Sequence, residues 1–216
     1  MSYPAIFAIK SYPPMKRTVL CAIAAAMLCA SCNKAVDAIV KKAEASASST
    51  VDVNGFTSYT IQNGNHYADG NSHKSINLQQ QSFLVKFDSS AIYQTRSAEN
   101  QYDINKLWGF SDNGGAHHEY SARIGWRWSD GALRLFAYVY NSGIVASKEI
   151  SAVAIGKEVR CSINATLTAY LFTVDGTSVS MPRTSKTATI NGYQLYPYFG
   201  GDEVAPHAIT IRIKVL

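Results

Sequence analysis

The feature that most constrains this chain is a series of short segments in which apolar and polar residues alternate. They are rich in β-branched and aromatic residues, and the clearest lie at residues 83–87, 133–140, 169–174 and 209–215. A period of two places successive side chains on opposite faces of an extended strand. The pattern therefore predicts β-strands, each with one face turned towards a core.

Turn residues separate these segments. They are Ser129-Asp-Gly131, Asn141-Ser-Gly143, Asp175-Gly176, Asn191-Gly192 and Gly200-Gly-Asp202, and such sequences are typical of tight turns between antiparallel strands. No part of the region shows an amphipathic pattern longer than about two helical turns. Roughly ten to thirteen short strands at this spacing predict an all-β fold, a two-sheet antiparallel β-sandwich.

Composition excludes several classes of protein. The chain has 216 residues, 13 of them tyrosines, and 16% are charged, which is typical of one packed domain and not of a disordered chain. Lys10, Lys16 and Arg17 precede Cys32, so 17 basic and 15 acidic residues remain after it, a net charge of +2. No run of basic residues is left to follow a phosphate backbone, and we expect no nucleic-acid partner.

The residues before Cys32 are typical of an export signal. Met15-Lys16-Arg17 precede 12 apolar residues, at positions 19–30, a length that suits a secretory signal and is too short to span a bilayer. The end of the run, Leu28-Cys-Ala-Ser-Cys32, resembles the lipobox of bacterial lipoproteins. That resemblance implies that Cys32 carries the lipid and that the chain is cut before it; the alternative is an ordinary cleaved signal with Cys32 incidental.

This resemblance also implies a division of the chain and a location. We expect a signal segment at 1–31, with Met15 as the true start, then the lipidated Cys32 and a tether to residue 52, then the β-sandwich domain at 53–216. The expected location is the bacterial cell envelope, with the outer membrane favoured and a lipid anchor as the membrane contact. In the domain, Cys161 is the single cysteine, so no internal disulfide is expected, and its apolar surroundings favour simple burial.

Two blocks of sequence resemble the concanavalin A-like jelly rolls of carbohydrate-active proteins, which include lectin-like modules and some polysaccharide lyases. The first comprises residues 105–112, 120–128 and 133–140, and the second comprises residues 192–201 and 205–211. The resemblance implies the jelly-roll fold and a carbohydrate ligand. It does not supply a set of catalytic residues.

Strand alternation supplies candidate residues for a glycan site. Glu119, Arg123 and Arg127 share one predicted strand face, and Arg134 follows the next turn. Arginine suits bidentate contact with a uronate carboxylate or a sulfate. The alternative interpretation is a solvated sheet face with ion pairs between strands. Apolar sugar faces stack on aromatic rings, and this adds three more candidates: Trp126, Trp128 and Tyr138.

Three function classes remain open. The leading interpretation is a lectin-like, glycan-binding domain on a membrane-anchored lipoprotein, because the sequence shows no complete set of catalytic acid and base residues. The first alternative is a lyase acting on a uronate-containing glycan, with Arg123 or Arg127 beside a His/Tyr pair drawn from His117, His118, Tyr120 and Tyr138. The second alternative is a structural or assembly lipoprotein without catalysis.

No cofactor or metal site is predicted. No phosphate loop, dinucleotide fingerprint or serine nucleophile motif occurs. His117 and His118 are adjacent, so a strand would direct them to opposite faces rather than to one zinc ion. Asp112 and Asp202 lie in glycine-rich loops, where either Ca²⁺ binding or plain solvation is open.

Overall fold

A computed structural model describes residues 50–216, which form two six-stranded antiparallel sheets. The predicted signal segment, Cys32 and most of the tether lie outside the described residues. Among residues 50–216, no helix is both long and apolar enough to cross a membrane. The predicted fold class is confirmed.

The first sheet has the strand order β1-β12-β3-β8-β9-β10 and the second has the order β2-β11-β4-β5-β6-β7. The strands are β1 Thr57–Ile61, β2 Ser75–Leu78, β3 Gln80–Phe87, β4 Asn105–Ser111, β5 Tyr120–Ser129, β6 Ala132–Asn141, β7 Ile144–Val153, β8 Glu158–Ala165, β9 Ala169–Val174, β10 Thr177–Pro182, β11 Ile190–Leu195 and β12 Ile209–Val215. Two short 3₁₀ turns, Ser89–Ala91 and Glu99–Tyr102, lie between β3 and β4.

Alternation explains which side chains fill the space between the sheets. In β3, Gln81, Phe83, Val85 and Phe87 are buried while their neighbours are partly exposed. The same rule buries Ala122, Ile124 and Trp126 of β5 and leaves the other side of that strand for the outer face of the second sheet. The core therefore consists of alternate residues from both sheets, as in other sandwiches.

Three hairpins have two-residue turns in the left-handed conformation. The turns join β5 to β6, β6 to β7, and β9 to β10, at Asp130-Gly131, Ser142-Gly143 and Asp175-Gly176, and every one of these residues has a positive φ between 44° and 90°. Two successive left-handed residues match the twist of paired strands, and glycine at the second position takes this conformation without steric cost. These turns set the register of the strands they join. The turn predicted at Asn191-Gly192 is wrong: both residues lie within strand β11, where the glycine allows a close approach of the Ser111 carbonyl.

A buried ion pair links the two sheets. Asp112 follows β4 of the second sheet, and Arg183 follows β10 of the first; Arg183 Nε donates to Asp112 Oδ2 at 2.7 Å, and both side chains are fully buried. Tyr170 of β9 donates to the same oxygen at 2.6 Å, and the amides of Asn113 and Asn191 donate to Oδ1. Burial by itself would raise the pKa of Asp112, but these hydrogen bonds outweigh it and hold the pKa below its usual value.

We expect Asp112→Asn to reduce the free energy of unfolding by about 3 kcal/mol or more, because it leaves the Arg183 cation buried without a counter-charge. Denaturant unfolding at neutral pH measures the change. Since the folded pKa of Asp112 is depressed, its stabilisation is present above the ordinary aspartate pKa and is lost as the pH falls through the folded value. The control is Glu158→Gln, which breaks the exposed Lys86–Glu158 pair and should cost about 1 kcal/mol or less. Equal losses in the two variants would contradict a special role for the buried pair.

Candidate functional site

The outer face of the second sheet carries a cavity of about 360 Å³, which we call the groove. Its lining comes from β4, β5, β6, β11 and the loops beside them. The lining residues are Tyr67, Asn71, Lys106, His117, His118, Arg123, Tyr138, Tyr140, Gln194, Leu195, Tyr196, Pro197, Tyr198 and Gly201. None of them is acidic.

The β5–β6 register forms the floor of the groove. Arg123 lies directly opposite Tyr138, and Ser121 lies opposite Tyr140, so the arginine and the two tyrosines share one face. The Tyr138 and Tyr140 ring centroids are 6.0 Å apart. Burial raises the pKa of Tyr138, which keeps this phenol protonated at neutral pH.

Arg123 is a buried cation that lacks a counter-ion among the described residues. Its residue is only 7% exposed, its Nε has no hydrogen-bond partner, and no carboxylate within residues 50–216 forms an ion pair with it. Burial lowers the pKa of Arg123 to about 10, although the Tyr138 and Tyr193 phenols act in the opposite direction. A buried, unpaired charge is costly to a folded protein and is a feature of functional sites.

Lys106 adds a second positive charge. Its Nζ donates to Ile104 O at 2.8 Å and lies 4.8 Å from the centroid of the Tyr138 ring. Burial and the Arg123 charge lower the pKa of Lys106 to about 8, against a smaller opposing effect of Asp103. A Cβ on Gly200 would lie 2.5 Å from the Ile104 carbonyl oxygen and 2.6 Å from this ammonium group, so glycine is needed there because the Ile104 backbone leaves no room for a side chain.

Two histidines approach the groove from the loop between β4 and β5, residues 112–119, which we call the histidine loop. Asn113 and Gly114 both have positive φ and turn the chain sharply after Asp112. The His117 and His118 ring centroids are 4.2 Å apart, and His117 Nδ1 lies 3.0 Å from Tyr193 Oη. Burial, with the charges of Arg123 and His118, lowers the pKa of His117 to about 4, so this imidazole is neutral at pH 7.

The structure brings only two of the predicted glycan-site residues into the groove, Arg123 and Tyr138. Arg127 does share the Arg123 face, but its guanidinium packs 4.7 Å from the Phe136 ring centroid and donates to Tyr102 O at 2.8 Å. It therefore holds the 102–104 segment against the sheet, where Ile104 lies over Gly125. Arg134 lies opposite Arg127, and its charge is engaged by Glu149 at 2.9 Å and Asp130 at 3.7 Å.

The remaining predicted residues lie elsewhere, for identifiable reasons. Trp126 is fully buried against Phe87 and Tyr93, and Trp128 packs against the same core, because both point to the inner face of β5. Glu119 is exposed and precedes β5, which begins at Tyr120. Strand alternation does not extend to Glu119, so its predicted place beside Arg123 is corrected.

The structure also shows which hydrogen bonds occupy the carboxylates of the two glycine-rich loops considered for Ca²⁺. Both carboxylate oxygens of Asp112 already accept two hydrogen bonds each. Beside the exposed Asp202, the carboxylate of Glu203 accepts the amides of Arg96 and Ser97. Within the described part of the chain, no group of three or more His, Cys, Asp or Glu residues is arranged to hold a metal ion.

Solved structures of a polysaccharide lyase and a glycoside hydrolase share this architecture. Alginate lyase AlyC3 superposes with a TM-score of 0.53 at 10% identity, over 77% of this chain and 76% of that chain. A glycoside hydrolase family 16 endo-glucanase from Bacteroides ovatus gives a TM-score of 0.50 at 13% identity, over 80% of this chain and 86% of that chain. The chain has a jelly-roll fold. No protein-family profile matches the sequence, and no curated protein matches it. At this identity the likeness concerns the fold alone.

Sequence reasoning missed Lys106 and gave no special weight to Tyr140. A signal for Tyr140 was present: counting back from the Asp130-Gly131 turn pairs Arg123 with Tyr138 and Ser121 with Tyr140. No comparable signal existed for Lys106, because a bulge in β4 between Lys106 and Trp108 shifts its register against β5. Its contact with Tyr138 joins strands that are not neighbours in the sheet.

We expect Arg123→Met to leave the melting temperature unchanged or to raise it, because the cation it removes has no ionic partner and methionine keeps much of the apolar volume. Thermal unfolding followed by circular dichroism measures this. Arg183→Met is the matched control, because it also removes a buried arginine but leaves the buried Asp112 carboxylate without its ionic partner. It should lower the free energy of unfolding by about 3 kcal/mol or more. Similar destabilisation in both variants would mean that Arg123 is a structural residue.

Proposed function

We propose that this domain binds a uronate-containing polysaccharide in the groove and cleaves it by β-elimination. The observation that carries the proposal is Arg123, a buried cation on the groove floor whose charge no carboxylate in the described chain balances. A ligand carboxylate would supply the missing negative charge. Such charge-assisted contacts are among the stronger polar interactions in proteins.

The groups around Arg123 match the needs of that reaction. A base removes the proton from C5 of the uronate, the released electron pair forms the C4=C5 double bond, and the C4–O glycosidic bond breaks. The departing oxygen takes a proton from an acid. Arg123 and Lys106 would neutralise the carboxylate and so make the C5 proton more acidic, and the Tyr138 and Tyr140 phenols are available for proton transfer.

Hydrolysis by a pair of carboxyl groups has less support. Glycosidases of the usual kind place two acidic side chains on either side of the scissile bond, whereas no acidic residue of the described part of the chain lines this groove. The enzymes that share the fold include one named a lyase and one named a glycoside hydrolase, and these side chains favour the chemistry of the lyase. The fold itself supports either activity.

Binding without cleavage is the second candidate, and one observation favours it. The pKa of His117 is lowered to about 4 and that of Tyr138 is raised, so neither group is close to the neutral pKa that suits a general base. A lectin-like groove would need only the charges and the aromatic rings. The two candidates share the ligand and the binding residues and differ in whether a product forms.

We expect the purified domain to release unsaturated uronate from at least one polyuronate, detected by its ultraviolet absorbance. The substrates are polymannuronate, polyguluronate and polygalacturonate, with a neutral β-glucan as the negative control. Arg123→Met should reduce the rate by about 100-fold or more, as removal of an electrostatic stabiliser does elsewhere. Arg134→Met, on the same sheet face but outside the groove, should retain the wild-type rate. Polyuronate binding without absorbance would leave the lectin-like function, and no binding at all would refute both.

We expect the affinity for a polyuronate to fall as the pH rises from 7 to 9. The pKa of Lys106 is about 8, so its cationic form predominates at pH 7 and is mostly lost at pH 9. Losing one charge-assisted contact should weaken binding by roughly tenfold. Calorimetric titration at both pH values measures the change, and Lys106→Met should bind more weakly at pH 7 and show little further loss. A pH-independent affinity in the wild-type domain would contradict a role for this ammonium group.

A further inference from the structure

Tyr193 holds His117 through two contacts to a single phenol oxygen. The backbone amide of His117 lies 3.2 Å from Tyr193 Oη, and His117 Nδ1 lies 3.0 Å from the same atom. The amide is a donor only, so it occupies one lone pair of the oxygen. The phenol has one proton to donate, and His117 Nδ1 is the one acceptor that the described residues place within its reach.

This arrangement distinguishes the two neutral forms of the ring. With the proton on Nε2, the phenol donates to Nδ1, and every polar atom of the contact is satisfied. With the proton on Nδ1, two N–H groups would converge on one oxygen, and the phenol proton would have no acceptor among the described residues. Hydrogen-bond partners select imidazole tautomers in this way. Burial beside Arg123 and His118 keeps the ring neutral by lowering its pKa.

We propose that Tyr193 is a positioning residue that fixes His117 in the tautomer with its proton on Nε2. His117 then offers the groove a hydrogen-bond donor rather than a base. The tautomer itself is a property of the ligand-free protein; only the consequence for catalysis rests on the proposed function. In that setting Nε2–H joins Arg123 and Lys106 as a third donor towards a bound carboxylate.

The surroundings of both residues keep this contact in place. The Tyr193 amide donates to Ser111 Oγ at 2.9 Å, and Ser121 Oγ donates to His117 O at 2.7 Å. At the start of the histidine loop, the buried Asp112 accepts the Asn191 amide at 3.2 Å and so ties the loop to β11. The contact therefore joins two segments whose backbones are each anchored independently of the ligand.

The test uses nitrogen-15-labelled protein with no glycan present. Long-range proton–nitrogen correlation spectra at neutral pH identify which ring nitrogen of each histidine carries the proton, and His117→Gln assigns the His117 signals by their loss. We expect wild-type His117 to show the Nε2–H form. Tyr193→Phe removes only the hydroxyl and should produce a mixture of tautomers. The control is Tyr120→Phe, which removes a phenol bonded to Ser142 Oγ at 3.3 Å and should leave His117 unchanged.

Three results would overturn the proposal: the Nδ1–H form in the wild-type spectrum, an unaltered tautomer in Tyr193→Phe, or the same change in Tyr120→Phe. If Tyr193→Phe fails to fold, Ser111→Ala takes its place, because it removes the acceptor of the Tyr193 amide. Ser111→Ala should also produce a mixture of His117 tautomers, and an unaltered tautomer would count against the proposal, as would the Nδ1–H form in the wild-type spectrum. No substrate enters any of these measurements. A negative result in the lyase assay would therefore leave the tautomer assignment standing, and a wrong tautomer would leave the lyase assay standing.

Discussion

The buried pair of Asp112 and Arg183 is the interaction on which the rest of the structure depends. Among the ion pairs of residues 50–216, it is the one whose two side chains are both fully buried. It joins the end of β4 in the second sheet to the end of β10 in the first. An ion pair in such a place carries a large desolvation cost that only good geometry offsets. Arg183 meets that condition by also donating to the carbonyls of Thr166, Thr187 and Thr189.

The same pair connects the core to the groove. Asp112 begins the histidine loop, and its carboxylate accepts amides from that loop and from β11, the strand that carries Tyr193. The positions of His117 and Tyr193 are thus set by a carboxylate that is fully buried and does not line the groove. Preorganised donors act on a bound charge without the cost of reorienting, and a rigid frame behind the groove is what makes such preorganisation available.

Arg123 and Arg183 are both buried arginines, but they have different roles. Arg183 has a carboxylate and three carbonyl partners, whereas Arg123 has no ionic partner in the described chain. The Arg183 arrangement stabilises the fold. The Arg123 arrangement lowers the stability of the fold but holds a positive charge where an anion can reach it. Proteins commonly accept such local cost at functional sites. The jelly-roll scaffold tolerates it because twelve strands bury a large apolar core elsewhere.

The sequence by itself determined the sandwich, because a strand period of two and left-handed turn dipeptides are local properties. It also contained the pairing of Arg123 with Tyr138, since a two-residue turn at Asp130-Gly131 sets the register of the hairpin. Tertiary structure alone decided the groove. Lys106 reaches Tyr138 across an intervening strand, Asp112 meets Arg183 from 71 positions away, and Tyr193 meets His117 from 76. Such contacts depend on how strands are ordered within and between sheets, and alternation along one strand carries no record of that order. For the same reason, the sequence pattern could name Trp126 and Arg127 as candidates for the site. It could not show that Trp126 packs against Phe87 and Tyr93 or that Arg127 holds the 102–104 segment against the sheet.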